Sequence, residues 1–351
     1  MIPTVTIAVD CMGGDHGVAP IVEGALAALH ESPQDALQVV LVGDRTQIQA
    51  ALDHHRTHIS SATISRRVRI EHADDEVTMD DRAADAVRRN DTSIAVGLKL
   101  HHEAKVDGFI SAGNTGAVMG SALRHLSRLP GVMRPAIASL FPNQKTVTVV
   151  LDVGANTECK PAHLHQFAVM GSLFYQYVIK KDRPRVGLLS IGEEPSKGTE
   201  SVQAAHKLLA AEPTINFVGN IEGRDILSSE VDVVVTDGYV GNILLKFAES
   251  VGPLLEAKLR RQINTNIFSK IGVFLLRPFL RRTRNSLDYA EYGGAPLLGV
   301  DGVVVICHGK SGAKAIKNAI FEAERCIRMD VNAHIKDQLE KVQASEAVNA
   351  A

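Results

Sequence analysis

Short apolar runs that stop abruptly at glycine-rich turns restrict the fold of this chain more than any other feature. Val5–Asp10 opens onto MGGDHG, Gly108–Ser111 onto AGNTGA, Val147–Asp152 onto VGANTECK, Val186–Ser190 onto IGEEPSKG and Val303–Ile306 onto CHGKSG. The runs are brief, often β-branched and apolar at successive positions, as strands covered by helices on both faces must be. Further runs of this kind lie at Leu37–Val42, Val68–Ile70, Ala136–Phe141, Ile215–Val218 and Val231–Thr236. Helical patterns alternate with them at Val18–Leu29, Arg82–Arg89, Thr115–Leu126, Ala162–Val178, Ser201–Ala211 and Gly312–Ile327. The alternation predicts an α/β fold, a three-layer helix–sheet–helix sandwich with a mostly parallel sheet. Ligands of such sheets sit at the carboxyl ends of the strands, where these turns fall. A glycine turn feeding a helix N-terminus aims bare main-chain N–H groups at one point, a geometry suited to phosphate. One such turn is commonplace; five in a single chain imply a large anion-binding site.

Composition narrows the partners. With 38 basic against 40 acidic residues, 4% aromatics and no tryptophan, the chain lacks the charge and the stacking surfaces of a nucleic-acid binder. Its four cysteines (Cys11, Cys159, Cys307, Cys326) are scattered with no CxxC pair, which suits reduced thiols in the cytoplasm. No basic region precedes the first apolar run, which Asp10 interrupts, and no stretch approaches the ~20 apolar residues of a membrane span. The expectation is a cytoplasmic protein with one catalytic α/β domain over residues 1–330, then a terminal helix end and flexible tail over 331–351. Residues 255–290 depart from the pattern. Lys258, Arg260, Arg261, Lys270, Arg277, Arg281, Arg282 and Arg284 face a single acid, Glu256, and are interleaved with large apolar residues. This segment reads as a protruding, basic, amphipathic helical hairpin.

The turns supply the candidate site residues. In the first, Asp10 ends the strand, Gly13, Gly14 and Gly17 allow close approach, and Asp15 and His16 stand at a helix entry where an aspartate also serves as N-cap. In the second, Ser111, Gly113, Asn114, Thr115 and Gly116 add amide and hydroxyl donors. The third offers Asp152, Gly154, Asn156 and Lys160; the fourth offers Gly192, Ser196, Lys197 and Gly198. A lysine just past a glycine turn provides the point charge a phosphate takes. In the fifth, His308, Lys310 and Ser311 can face an anion, but this is no nucleotide P-loop, because Val304 stands where that motif needs glycine. No GxGxxG dinucleotide fingerprint, GxSxG elbow or metal-ligand set accompanies these turns.

Together, DCMGGDHG, SAGNTGA, LDVGAN, SIGEEPSKGT, GNIEGRDI, DGYVGNI (with Asn242) and YGGAPLLGVDG resemble the bacterial phosphate acyltransferase (PlsX) family of phospholipid synthesis, in order from about Ile7 to Ile320. Cys11 stands where that family usually has alanine, and Tyr239 where phenylalanine is usual. The resemblance implies transfer of a fatty acyl group from acyl carrier protein to inorganic phosphate. The product acyl phosphate would feed a glycerol-phosphate acyltransferase. It also implies a homodimer with a phosphotransacetylase-like and isocitrate/isopropylmalate dehydrogenase-like fold, without nicotinamide or an obligatory metal. Phosphate is itself the nucleophile, so positioning and charge stabilisation suffice. Lys160, Asn156, Lys197 and His16 are the expected catalytic residues. Asn114 and Thr115 would join the lysines around phosphate, and His16 or His308 would protonate the leaving thiolate. The hairpin is expected to touch the inner face of the plasma membrane through Phe268, Ile271, Phe274 and Leu275, unless its arginines receive the carrier protein instead. The alternatives are a short-chain phosphotransacetylase using coenzyme A, a non-catalytic acyl-carrier or phosphate-binding regulator, and a metal-dependent dehydrogenase. The last would need an aspartate cluster that the sequence does not offer.

Overall fold

The structure, a computed structural model, describes residues 3–33, 36–55, 66–263 and 291–350, with positions 272, 276 and 279. The mixed α/β architecture agrees with the sequence, but the strands divide between two sheets. The first contains β1 (Val5–Asp10), β2 (Leu37–Gly43), β3 (Val68–His72), β4 (Gly108–Ser111), β5 (Ala136–Ile137), β11 (Ala295–Leu298) and β12 (Val303–Ile306), in the order β3-β2-β1-β4-β12-β11-β5. Its pairings are parallel except those of β11 with β12 and β5. The second contains β6 (Ser139–Pro142), β7 (Val147–Leu151), β8 (Arg185–Leu189), β9 (Asn216–Ile221) and β10 (Val233–Val235), in the order β6-β7-β10-β8-β9, with only the β6 pairing antiparallel. The run Ala136–Phe141 reads as one strand in the sequence. It is two, and the chain passes from one sheet to the other at the buried Ala138.

The helices are α1 (Val18–Glu31), α2 (Arg45–His55), α3 (Ala83–Ala86), α4 (Ser93–His102), α5 (Thr115–His125), α6 (Pro161–Phe174), α7 (Glu200–Ala211), α8 (Gly238–Ile263), α9 (Ala313–Arg328) and α10 (Val331–Ala350). Gly24 lets α1 and α9 meet backbone to backbone: a Cβ there would lie 2.5 Å from the Ala313 carbonyl oxygen and 2.7 Å from Ile316 Cβ. That contact sets the start of α9 against the middle of α1. A core under these helices gathers Ile7, Val9, Leu26, Leu41 and Ile320. Another runs across both sheets, joining Val40, Phe109 and Leu297 to Val150 and Val234.

The expected fraying tail is instead a packed helix. Val331, Ile335 and Leu339 of α10 recur at helical spacing and are buried with Phe167 and Phe174 of α6. Of the expected hairpin segment, residues 255–263 continue α8 and positions 272, 276 and 279 are described, whereas Phe268, Ile271, Phe274 and Leu275 lie outside the described residues.

His101, in the last turn of α4, pins two strands whose far ends carry glycine turns. Its Nδ1 lies 3.1 Å from the Val106 carbonyl just before β4, and its Nε2 accepts the Val303 N–H of β12 at 2.9 Å. Both bonds are satisfied only by the neutral Nδ1–H tautomer. Burial lowers the folded-state pKa below the usual 6.5, with the Val106 hydrogen bond opposing. The unfolded chain therefore binds a proton first, and stability is lost as pH falls below about 6.5 toward the lowered value. We expect His101→Phe to lose about 1–3 kcal/mol at pH 7.5 by orphaning Val303 N–H. Urea denaturation from pH 7.5 to 5 should show a shallower loss than wild type; an unchanged pH slope would remove His101 as its source.

Candidate active site

The turns after β1, β4 and β12 close into one corner because those strands are neighbours in the first sheet. Asp10 is its hub. One carboxylate oxygen accepts the Met12 and Gly13 N–H groups at 3.0 and 3.2 Å, and the other accepts Ser111 Oγ–H at 2.6 Å. Ser111 Oγ in turn accepts Gly113 N–H at 3.0 Å. Cys307 N–H donates to Ser111 O at 2.8 Å and Asp15 N–H to Gly309 O at 2.7 Å, tying the third turn to the other two. The glycines are there for contact between turns: a Cβ on Gly13 would lie 2.6 Å from Gly113 N. Gly14 has φ +97°, which favours glycine, and faces Gly309 O.

The second corner forms at the ends of β7 and β8. Asp152 Oδ1 accepts N–H from Ile137, Gly154 and Ala155 at 2.9–3.1 Å, and Oδ2 accepts the Asn156 main-chain and side-chain N–H groups at 2.6 and 2.9 Å. The α8 start rests on this loop. Gly238 N–H donates to Asn156 O at 2.7 Å, and a Cβ on Gly241 would overlap the Asp152 carbonyl. Asn242 is exposed beside Gly154. Ser201 Oγ–H donates to Cys159 O at 2.8 Å, joining this turn to the one after β8. That last turn is backed by Asn220, whose amide donates to Glu194 O at 2.8 Å while His206 Nδ1 donates to its Oδ1 at 2.9 Å. Gly198, at φ +92°, covers Ser190 Oγ.

The five-turn site is thus built as two corners, and several expected roles change. Asp10, Ser111 and Asp152 are buried and occupied by protein donors, so they shape the loops. Asn114 is the N-cap of α5: Oδ1 accepts Ala117 N–H, and its amide donates to Met79 O and Asp81 O. Asn156 spends its amide on Pro135 O and Asp152. Neither asparagine presents an amide to substrate as expected. Gly116 faces Ala83, a helix–helix contact.

The exposed candidates are Asp15, His16, Gly17, Thr115, Gly154, Lys160, Ser196, Lys197, Asn242 and Lys310. The ammonium groups of Lys160, Lys197 and Lys310 make no ion pair among the described residues. Gly17 and Gly312, the N-caps of α1 and α9, provide no side-chain cap, so first-turn N–H groups stay available to an anion. Ser311 is buried between Lys310 and Gly312, and its Oγ has no hydrogen-bond partner among the described residues.

Burial pushes the thiols away from reactivity. Cys159 and Cys307 are raised to about 12, and Cys11 well above its ordinary value, by burial with added repulsion from nearby carboxylates. Burial also raises Asp10 and Asp152, although the donors around each oppose the shift. Among the described residues no group of three or more His, Cys, Asp or Glu side chains is placed to hold a metal ion. No helix there is long and apolar enough to cross a membrane.

The sequence reading missed Lys246 and Glu249 on α8. They meet His308 of the first corner, with Lys246 Nζ 3.1 Å and Glu249 Oε2 3.6 Å from His308 Nε2. The available signal was an i, i+3 lysine–glutamate pair two turns past DGYVG.

The model of the family described as "Fatty acid synthesis protein" matches residues 5–334. This chain belongs to that family. Relatives of the family extend over almost the whole chain. A protein of Nostoc punctiforme is 47% identical over 95% of this chain and 96% of its own. One of Syntrophotalea carbinolica is 45% identical over 95% and 94%. Both are named phosphate acyltransferase. Among solved structures, a phosphotransacetylase from Streptococcus pyogenes superposes with TM-score 0.62 at 16% identity, over 93% of this chain and 94% of that one. The EutD phosphotransacetylase from Staphylococcus aureus gives 0.59 at 17%, over 92% and 94%. At such identities the likeness concerns the fold.

Proposed function

We propose that this protein transfers a fatty acyl group from the thioester of acyl carrier protein to inorganic phosphate, yielding acyl phosphate for phospholipid synthesis. The observation that carries the reading is near-full-length identity above 40% to proteins named phosphate acyltransferase. The site agrees chemically. A phosphate oxygen attacks the thioester carbonyl carbon, the C–S bond breaks, and the carrier leaves as thiolate. No protein nucleophile is needed, and the thiols near the turns are held protonated. The starts of α1 and α9 supply main-chain donors, while Lys160 and Lys197 supply charge at the second corner. The carrier thiolate departs without an obligatory acid, leaving His16 no required part.

Two further elements belong to this proposal. One face of α8 exposes Tyr239, Ile243, Phe247, Val251 and Leu254 at successive helical turns, with Phe247 68% exposed. A second copy of the chain would cover it, making the homodimer. The segment beyond α8 would set the dimer against the cytoplasmic face of the plasma membrane, where the acyl phosphate passes to a glycerol-phosphate acyltransferase. Each lysine or arginine near an anionic surface contributes roughly 1 kcal/mol.

Lys160→Ala and Lys197→Ala should each lower acyl-phosphate formation from acyl carrier protein by about 10²-fold if they stabilise the reacting charge; wild-type rates in both would take the lysines out of the site. In sedimentation, Phe247→Glu should convert a dimer to monomers, and an unchanged dimer would reject the α8 stripe as its interface. With anionic liposomes, Phe274→Glu should abolish flotation seen with wild type. Equal flotation would assign the basic segment to the carrier protein.

A further inference from the structure

The second corner carries a cation that none of the glycine turns contains. Arg134 lies two residues before β5, and its main chain is clamped on both sides. Before it, Gln166 of α6, only 5% exposed, accepts the Met133 N–H at 2.8 Å and donates its amide to Gly131 O at 2.9 Å. After it, Pro135 O accepts the Asn156 amide at 2.7 Å, and Asn156 is bound in turn to Asp152. Two inward-turned amides therefore fix the backbone on which Arg134 stands, one of them from the Asp152 loop itself. The Arg134 side chain is exposed, with no hydrogen bond or ion pair among the described residues.

Its charge is nonetheless felt at this corner. Burial first, then the positive charges of Arg134 and Lys160, lower the pKa of His163 in the first turn of α6. Arg134 also opposes the upward pull of burial on Cys159. His163 Nδ1 accepts the Lys160 N–H at 3.2 Å, which sets that ring beside Lys160. Arg134 and Lys160 are thus like charges around one corner, and no carboxylate pairs with either among the described residues. Asp152 is buried, and each of its oxygens already accepts two or more N–H groups. Asp237 accepts the Val240 N–H at the start of α8. A shared anion would relieve this repulsion, and the planar fork of a guanidinium matches two oxygens of a phosphate.

We propose that Arg134 is a substrate-binding residue whose guanidinium grips a phosphate group of a reactant at two points, with Lys160 as the neighbouring charge. This rests on the acyl transfer proposed above and deepens it. Two groups in that reaction have the required chemistry: the inorganic phosphate that attacks, and the phosphodiester that tethers the donor's thioester arm to its carrier. Arg134 contributes no proton and no bond to the transfer, so its contact is made equally before and during the reaction.

The test uses the full chain, with a long-chain acyl carrier protein and inorganic phosphate as substrates. Arg134→Ala should raise one KM by about 10–100-fold and leave kcat within about threefold of wild type, the pattern of lost uniform binding. Arg134→Lys keeps the stem and the charge without the fork, so it should recover part of that loss. The KM that moves names the source: phosphate alone for the nucleophile, carrier alone for its phosphodiester. Thermal unfolding with and without inorganic phosphate gives a readout independent of turnover. For the nucleophile, phosphate should raise the wild-type midpoint and leave that of Arg134→Ala unmoved; for the phosphodiester, both should rise alike. Both KM values within about twofold of wild type in Arg134→Ala would overturn the inference. So would a fall in kcat and in the phosphate-free midpoint with neither KM changed, the mark of a merely structural arginine. A wild-type protein that forms no acyl phosphate, yet loses its phosphate-dependent midpoint shift in Arg134→Ala, would sink the acyl-transfer reading and leave the phosphate contact standing.

Discussion

Two buried carboxylates organise the end of the molecule where the strands deliver their turns. Asp10 and Asp152 sit at equivalent places, the last residue of β1 and the residue after β7, in different sheets. Moving a carboxylate out of water is costly unless hydrogen-bond donors replace its hydration. The chain supplies those donors by folding the following loop back over each carboxylate, with a serine reaching over from β4 in one case and an asparagine amide in the other. The glycines follow from this. A loop wrapped so tightly brings Gly13 against Gly113 and Gly241 against the Asp152 carbonyl, leaving no room for side chains. The exposed side chains of Lys160, Lys197 and Lys310 stand on neighbouring turns around these corners.

This arrangement explains why a thiol was a poor choice for the chemistry. Cys11 and Cys307 lie under the first corner, where the same low-dielectric packing that orders the loops keeps them protonated. A nucleophile brought in already ionised, as phosphate is, avoids that penalty. The protein has only to hold it and to meet the charge that moves onto the carbonyl oxygen.

The strands and their turns were legible in the sequence because two-sided burial leaves a continuous apolar signature, and glycine marks its end. The partition into two sheets was not. Ala136–Phe141 is apolar but for Ser139 and reads as one strand, and only pairing partners reveal that Ile137 belongs with β11 and Leu140 with β7. β11 was overlooked because its four residues, APLL, include Pro296, which usually argues against a strand. Asn114 and Asn156 looked like ligand donors because an amide that caps a helix or closes a loop has the same residue type and spacing as one that binds an anion. Lys246 and Glu249 were invisible as site residues because their partner, His308, is distant in sequence and reached only through the path of α8. The packed α10 was missed because its buried residues, Val331, Ile335 and Leu339, come only once per turn with mostly polar residues between them.

Ala138 is the entire connection between β5 and β6, a buried spacer between strands of different sheets. On its N-terminal side, Ile137 N–H is held by Asp152, and Ile137 O receives Val153 N–H at 3.1 Å. A joint of one residue, with the strand before it tied to the Asp152 loop, couples the two sheets directly: the loop that wraps a carboxylate in one sheet also fixes where the other sheet ends.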